Sequence, residues 1–336
     1  QRLRRISQMG LSYLVYPGAH HTRFHHALGC MYLMQKSIQV LRFKGVEIST
    51  SEEDGLLCAI LLHDIGHGPF SHAMEHSIVE GVSHEFISLQ FMQELNERFN
   101  GSLTEAISIF TGNHEKKFLN QLVSSQLDMD RLDYLKRDSF YTGVAEGNTN
   151  AERLITMLNV VDGSLVIEEK GIYSVEKFLM ARRFMYWQVY LHKTAVVAER
   201  LLISILKRAR FLIEKGETLN SSTPLHYFLT HHIDINNFNG DTLLKFAKLD
   251  DIDILAALKD WQYSNDFVLS SLCAMIINRK LLHIKVKKEP ISETKFLMQL
   301  NKVKAEYNIT DEEASYFVFK GELRNKAYDR QHQTIN

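Results

Sequence analysis

Proline is scarce, with four residues in a chain of 336, so few positions forbid a helix from continuing. Cysteine is scarcer still. Cys30, Cys58 and Cys273 are odd in number, far apart and set among apolar neighbours. That excludes a disulfide framework and a cysteine-paired metal knuckle, and it suits a reducing, cytoplasmic setting. Long apolar runs are missing: the longest is Leu56–Leu62, far short of the ~20 residues of a membrane span. No charged-then-apolar leader opens the chain, so no membrane association is expected. Net charge is −1, which leaves no global field to draw nucleic acid or anionic lipid. Any phosphate must be met by a local cluster of basic side chains. There is no initiator Met, and residues 1–9 already read as helix, so a segment upstream is expected.

Histidine is what the chain has in excess and in one place. Of 16, nine fall within the first 84 residues, at 20, 21, 25, 26, 63, 67, 72, 76 and 84. More than half the histidines in a quarter of the chain point to a site. Around them the patterns are helical. Leu28, Met31, Met34, Ile38 and Leu41 recur at spacings of three and four, and Ser51–Asp54 is an acidic helix start leading into Leu56–Leu62. Further helices are expected over 84–99, 103–111, 116–140, 150–159 and 175–213. Strand signals are few: a hairpin at Ser164–Glu169 after Asp162-Gly163, and short strands at His283–Lys288 and Tyr316–Lys320. Lys215–Pro224 reads as a linker. The fold class expected is mainly α with a small α+β C-terminal part.

The segment His63-Asp64-Ile65-Gly66-His67-Gly68-Pro69-Phe70-Ser71-His72 carries the chemistry. A charged Asp straight after seven apolar residues is costly unless paired or ligated. Gly66, Gly68 and Pro69 then force the chain out of the helix, which leaves the polar pair at a cavity edge. Two readings fit these residues alone: a metal ligates the pair, or Asp64 caps the local turn while His63 bonds to backbone.

Taken with Tyr16-Pro17-Gly18-Ala19-His20, Arg23-Phe24-His25-His26 and Asp130-Arg131-Leu132-Asp133-Tyr134-Leu135-Lys136-Arg137-Asp138, the segment resembles the deoxynucleoside triphosphate triphosphohydrolase branch of the HD superfamily. The likeness covers roughly residues 1–200. It implies an HD-domain helical core over 1–215; the helix, strand and linker patterns further on add a helical extension over 216–285 and a mixed α/β segment over 286–336. It implies one divalent metal held by His26, His63, Asp64 and Asp130. Mixed nitrogen and oxygen ligands suit Mn, Mg, Fe, Co, Ni or Zn without choosing among them. Fewer ligands than an octahedral ion wants would leave room for water and a phosphate oxygen. His25 should face away from its neighbour and pack instead.

The same resemblance makes His72 the general acid, with Glu75 orienting it and His67 and His84 lining the phosphate site; relatives commonly have Asp at the position of Glu75. Asp130, Tyr134 and Asp138 are four apart and share a helical face. The family assigns Tyr134 to packing on the sugar and Asp138 to its 3′-hydroxyl, with Gln8 assisting. Tyr190 stands where an aromatic would exclude a 2′-hydroxyl. Arg23, Arg131 and Arg182 are the phosphate-binding candidates, since a guanidinium grips phosphate oxygens in a fork; relatives usually have Lys at the position of Arg131. Asp133 and Arg137 read as a plain surface pair. Gln1, Arg2 and Arg4 resemble a segment that helps form regulatory nucleotide sites in some relatives.

The activity implied is hydrolysis of deoxynucleoside triphosphates to deoxynucleoside and inorganic triphosphate by a cytoplasmic homo-oligomer, dimer or tetramer, with a nucleotide substrate and a nucleotide activator as partners and no nucleic acid. Two rivals stand beside it. One is another HD phosphohydrolase, acting on nucleoside monophosphates, cyclic nucleotides or guanosine tetraphosphate. The other is a nucleotide-sensing or nucleic-acid-binding protein without turnover.

Overall fold

The structure is a computed structural model that describes residues 1–75 and 77–323, with the His72 side chain also left outside the description. Helix α1 (Arg23–Phe43) starts after Thr22, whose backbone N–H donates to Nδ1 of His25 at 3.1 Å. That contact turns His25 outward, as expected, and leaves its neighbour His26 to point in. The buried stripe of α1 runs through Ala27, Cys30, Met34, Ile38 and Leu41. Leu28, expected in that stripe, is 40% exposed, because one residue beyond Ala27 lies roughly 100° further round the helix. Helix α2 (Thr50–Leu62) starts two residues earlier than the sequence suggests. Ser49 is its cap, accepting from the Glu52 N–H while the Glu52 carboxylate accepts from the Ser49 N–H.

After α2 the chain turns through Gly66, Gly68 and Pro69 into the short α3 (Ser71–Glu75) and then α4 (His84–Arg98), α5 (Thr104–Phe110) and α6 (Lys117–Val123). The single helix expected over 116–140 is broken, and α7 (Met129–Thr142) begins anew. Ser124 is extended, and the Asp128 carboxylate accepts from the N–H groups of Ser125 and Arg131. Short polar side chains compete with the helix for backbone donors here and win. Helix α8 (Ala151–Thr156) gives way to β1 (Leu158–Val161), which pairs antiparallel with β2 (Ser164–Ile167). The hairpin was legible, but its first strand was hidden in the helix expected to reach 159. Asp162 and Gly163 both take positive φ, as a two-residue hairpin turn requires.

The helix expected over 175–213 is also divided. Helix α9 (Ile172–Met185) runs into a π-helical turn at Tyr186–Tyr190, and α10 (Lys193–Glu214) restarts at His192. The expected linker is a loop, after which come α11 (Thr223–Thr230), α12 (Gly240–Phe246), α13 (Asp251–Trp261), α14 (Phe267–Ile277), α15 (Glu293–Tyr307) and α16 (Asp311–Ser315). Neither His283–Lys288 nor Tyr316–Lys320 pairs as a strand among the described residues. The first has a strand's alternation but no neighbouring edge to bond; in the second, Phe317 tucks into the core after α16. Among the described residues no helix is long and apolar enough to cross a membrane. The fold is mainly α.

Two apolar cores form. One gathers α1, α2 and α5–α9; the other gathers α3 and α10–α14; α4 lies between them, giving Met92 to the first and Ile87 and Phe91 to the second. Ile60 belongs to the first and Phe70 to the second. The turn carrying His63 and Asp64 therefore crosses from one core to the other.

Candidate functional site

Two glycines allow the site to close up. At Gly29 on α1, a Cβ would stand 1.9 Å from Asp133 Oδ1 and 2.2 Å from Arg137 Nη2. At Gly66 it would stand 2.2 Å from the His84 carbonyl oxygen and 2.3 Å from the Ser88 nitrogen. The first absence lets α7 press its carboxylates onto His26. The second lets the turn after α2 lie on the start of α4.

His26 is fully buried. Its Nδ1–H donates to Asp133 Oδ2 at 2.7 Å, and Asp133 is held in turn by Arg137 through two contacts of 2.8 Å. The pair expected at the surface thus fixes the tautomer and angle of His26. His63, just past α2, donates from Nδ1 to the Ile60 carbonyl at 2.6 Å. Both rings are left with Nε2 facing carboxylates. His26 Nε2 is 3.0 Å from Asp130 Oδ1; His63 Nε2 is 3.4 Å from Asp64 Oδ1 and 3.6 Å from Asp130 Oδ1.

His63 Nε2 is buried and has no hydrogen-bond partner. A buried nitrogen lone pair aimed at two carboxylates is repulsive unless a cation lies between them. Either protons or a metal ion can answer that demand. Without a metal the site gathers protons: burial opposes charge on His63, but Asp64 and Asp130 raise its pKa above the usual imidazole value. Burial likewise opposes the charge of Asp130, yet His26 and His63 drive its pKa far below the carboxylate range. His26, His63 and Asp130, with Cys30 beside them, bring their donor atoms within 4.8 Å of one another and could hold a divalent ion that would replace those protons, and Asp64 adjoins that group through His63. Cys30 Sγ lies 3.4 Å from His26 Nδ1, but burial pushes its pKa well up, so it stays a thiol.

Asp64 has a second set of neighbours. Arg23 Nη1 donates to its Oδ2 at 2.6 Å, and His67 Nε2 is 3.2 Å from its Oδ1. Burial first and Arg23 second lower the His67 pKa to about 3, so this ring is neutral. From His67 a chain runs on: Nδ1 to Ser71 Oγ at 2.7 Å, Ser71 Oγ to Glu75 Oε1 at 3.2 Å, and Glu75 Oε1 to His84 Nδ1 at 3.2 Å. The His67 and His84 rings stack at 3.9 Å. His67, Glu75 and His84 are therefore together. The side chain of His72 lies outside the described residues.

The remaining expected residues divide. Tyr134 is 6.5 Å from the His26 ring and 6.1 Å from Tyr190, so it lies between the metal cluster and the other aromatic. Tyr190 donates to Asp138 Oδ2 at 2.8 Å. Arg182 is buried, donates to Gln126 Oε1 at 2.9 Å, and keeps an unpaired Nε. Arg23 and Arg131 also have unpaired buried Nε groups, although Arg131 is already bonded to the buried Asp128. Gln8 has an unpaired Oε1. Arg4 lies over the Phe24 ring at 3.7 Å. Arg2 is buried and donates to the carbonyls of Ile65 at 3.1 Å and His67 at 2.5 Å; it secures the turn that carries His63 and Asp64. Sequence reasoning missed Arg2 in this role, along with Ser88, Gln126 and His21. Ser88 Oγ accepts from the Gly66 N–H and donates to the His63 carbonyl, 22 and 25 residues away. No local pattern announces such contacts.

Residues 23–138 match the HD domain, and residues 149–222 match the HD associated region. This chain belongs to the HD-domain phosphohydrolase family. The uncharacterized protein YwfO of Bacillus subtilis is 35% identical, over 98% of this chain and 75% of its own length. The crystal structure of a phosphohydrolase from Bacteroides thetaiotaomicron is 54% identical and superposes with a TM-score of 0.92, covering 94% of this chain and 80% of that one. A deoxynucleoside triphosphate triphosphohydrolase SAMHD1 homologue of Dictyostelium discoideum is 26% identical, over 95% of this chain and 70% of its own. All four candidate metal ligands fall within the HD domain match, and Arg182 and Tyr190 within the associated region.

Proposed function

We propose that this HD protein hydrolyses deoxynucleoside triphosphates at the α-phosphorus, giving deoxynucleoside and inorganic triphosphate. The observation that carries the reading is the face of α7, where Asp130 at the metal cluster, Tyr134 and then Asp138 follow at intervals of four and meet Tyr190. Such a wall offers one end to a phosphate and the other to a sugar. The relatives named for deoxynucleoside triphosphate hydrolysis support it at 26% and 28% identity.

His26, His63, Asp64 and Asp130 would hold the divalent ion, which supplies Lewis-acid charge at the phosphate and lowers the pKa of water. Arg23, Arg131 and Arg182 bring buried guanidinium nitrogens that still lack partners. A buried cation without a full set of acceptors is costly, and the oxygens of a polyphosphate tail satisfy it. The leaving 5′-oxygen of a sugar is a poor leaving group near neutral pH and needs a proton. We assign that task to His72, a residue of α3. Tyr190 closes the space at C2′, so ribonucleotides bind less well.

Phosphorus NMR of a metal-supplemented reaction on mixed deoxynucleoside triphosphates tests this. Intact inorganic triphosphate is the expected first product. Orthophosphate or pyrophosphate appearing first would overturn the reading, even with the metal site correct.

A further inference from the structure

His21 belongs to none of the roles assigned above, yet it is buried against the sugar end of the wall. Its side chain has no exposed surface, and Nε2 lies 2.7 Å from Asp138 Oδ1, across 117 residues of sequence. A carboxylate can only accept, so the ring hydrogen sits on Nε2. The ring also stacks on Tyr141 with centroids 4.4 Å apart and planes 15° from parallel. Two further contacts fix the backbone beneath it. The Gln8 N–H donates to the His21 carbonyl at 3.0 Å, and Ser7 bridges to Thr22. The approach to α7 is close, since a Cβ on Gly18 would stand 2.6 Å from the Tyr141 carbonyl oxygen.

We propose that His21 is a positioning residue: its Nε2–H fixes the Asp138 carboxylate, so that Asp138 and Tyr190 present one defined acceptor to the 3′-hydroxyl of the substrate sugar. Asp138 then has both oxygens engaged, Oδ1 by His21 and Oδ2 by Tyr190. Each oxygen keeps a free lone pair, and the two donors decide where those lone pairs point. Without His21 the carboxylate can turn about its bond to Cβ, and the acceptor is no longer aimed. The proposal rests on the sugar reading of Asp138 and Tyr190 and adds the residue that makes it geometric.

Two variants separate positioning from packing. His21→Gln keeps an N–H donor near Nε2 but loses the ring; His21→Phe keeps a ring against Tyr141 but loses the donor. Each is assayed with a deoxynucleoside triphosphate and with its 2′,3′-dideoxy analogue. The wild type should favour the 3′-hydroxyl by roughly tenfold or more, the scale of one hydrogen bond to a charged group. His21→Phe should raise KM more than it lowers kcat and bring that preference close to one. His21→Gln should keep it. Wild-type behaviour in His21→Phe, or equal loss in a folded His21→Gln, would overturn the proposal.

A long-range proton–nitrogen spectrum of the imidazoles supplies a readout without substrate. It should show His21 as the Nε2–H tautomer, with a resonance that shifts in Asp138→Asn. If the wild type ignores the 3′-hydroxyl, the sugar reading fails, and the spectrum alone decides whether His21 holds Asp138. A ring carrying hydrogen only on Nδ1 overturns it. The same spectrum decides the matter if His21→Phe does not fold.

Discussion

His63 and His26 sit in the same posture by different means, one tied to a backbone carbonyl and the other to a carboxylate on α7. Such outer contacts set the direction of the free nitrogen, and they are where the site is most exposed to damage at a distance. His63→Ala and Asp64→Ala should each lose bound metal and turnover while circular dichroism stays helical; full metal occupancy in both would sink the ligand assignment. Gly29→Ala is a subtler probe. The added methyl displaces Asp133 and Arg137, so metal affinity should fall by roughly ten- to hundredfold with every ligand present. A competition titration with a chelating dye reads it, and an unchanged affinity would show that Asp133 does not orient His26. The segment at 63–72 stands out because a charge ending an apolar run needs a partner, but those residues alone leave metal ligation and local capping both open, and the ligand set comes from the family resemblance. Asp133 was read as a surface partner because a spacing of four names only its neighbour on the helix. What lies beyond that neighbour belongs to another helix, and sequence spacing is silent about it.

At the scale of elements, periodicity located the helices and failed at their interruptions. The breaks at Ser124–Asp128 and Tyr186–Tyr190 contain no proline or glycine. Side-chain caps make the first, and the second is a widened turn that carries Tyr190 into the site. Gly66→Ala tests how closely elements must meet, because the methyl would strike backbone atoms of α4. A loss of about 1–3 kcal/mol in urea unfolding is expected, together with weaker metal binding; a variant of native stability would show that α4 can yield. Helices α10 and α14 are joined by Arg208, whose Nε and Nη2 both donate to Asp266, the cap of α14. Burial opposes the charge on Asp266, but Arg208 and the Leu269 N–H hold its pKa below the usual carboxylate value. A depressed folded-state pKa adds stability that is full above the unfolded carboxylate range and fades as pH falls through the folded value. Asp266→Asn should therefore destabilise the protein at pH 7 and converge on wild type in acid. A constant gap in urea midpoints between neutral and acid pH would refute the assignment.

Across the whole molecule, the helical class and the residues of the candidate site could be read in advance, but the joining of distant parts could not. Arg2 meets the carbonyls of Ile65 and His67 across 63 and 65 residues, and the Ser7 N–H donates to Asp251 across 244. Contacts of that reach come from chain reversal and packing, which no window of sequence contains. The crossing of the His63-Asp64 turn between two cores has a thermodynamic corollary. His26 and Asp130 stand on helices of one core, whereas Asp64 is tied through His67 and Ser71 to the stretch that enters the other. A bound ion would act as a rivet between two cores that otherwise share α4, through Met92 on one side and Phe91 on the other. Scanning calorimetry should show one sharp endotherm for the metal-loaded protein. After chelation it should split into two broader endotherms, and the lower one should climb back toward the upper as metal is titrated in.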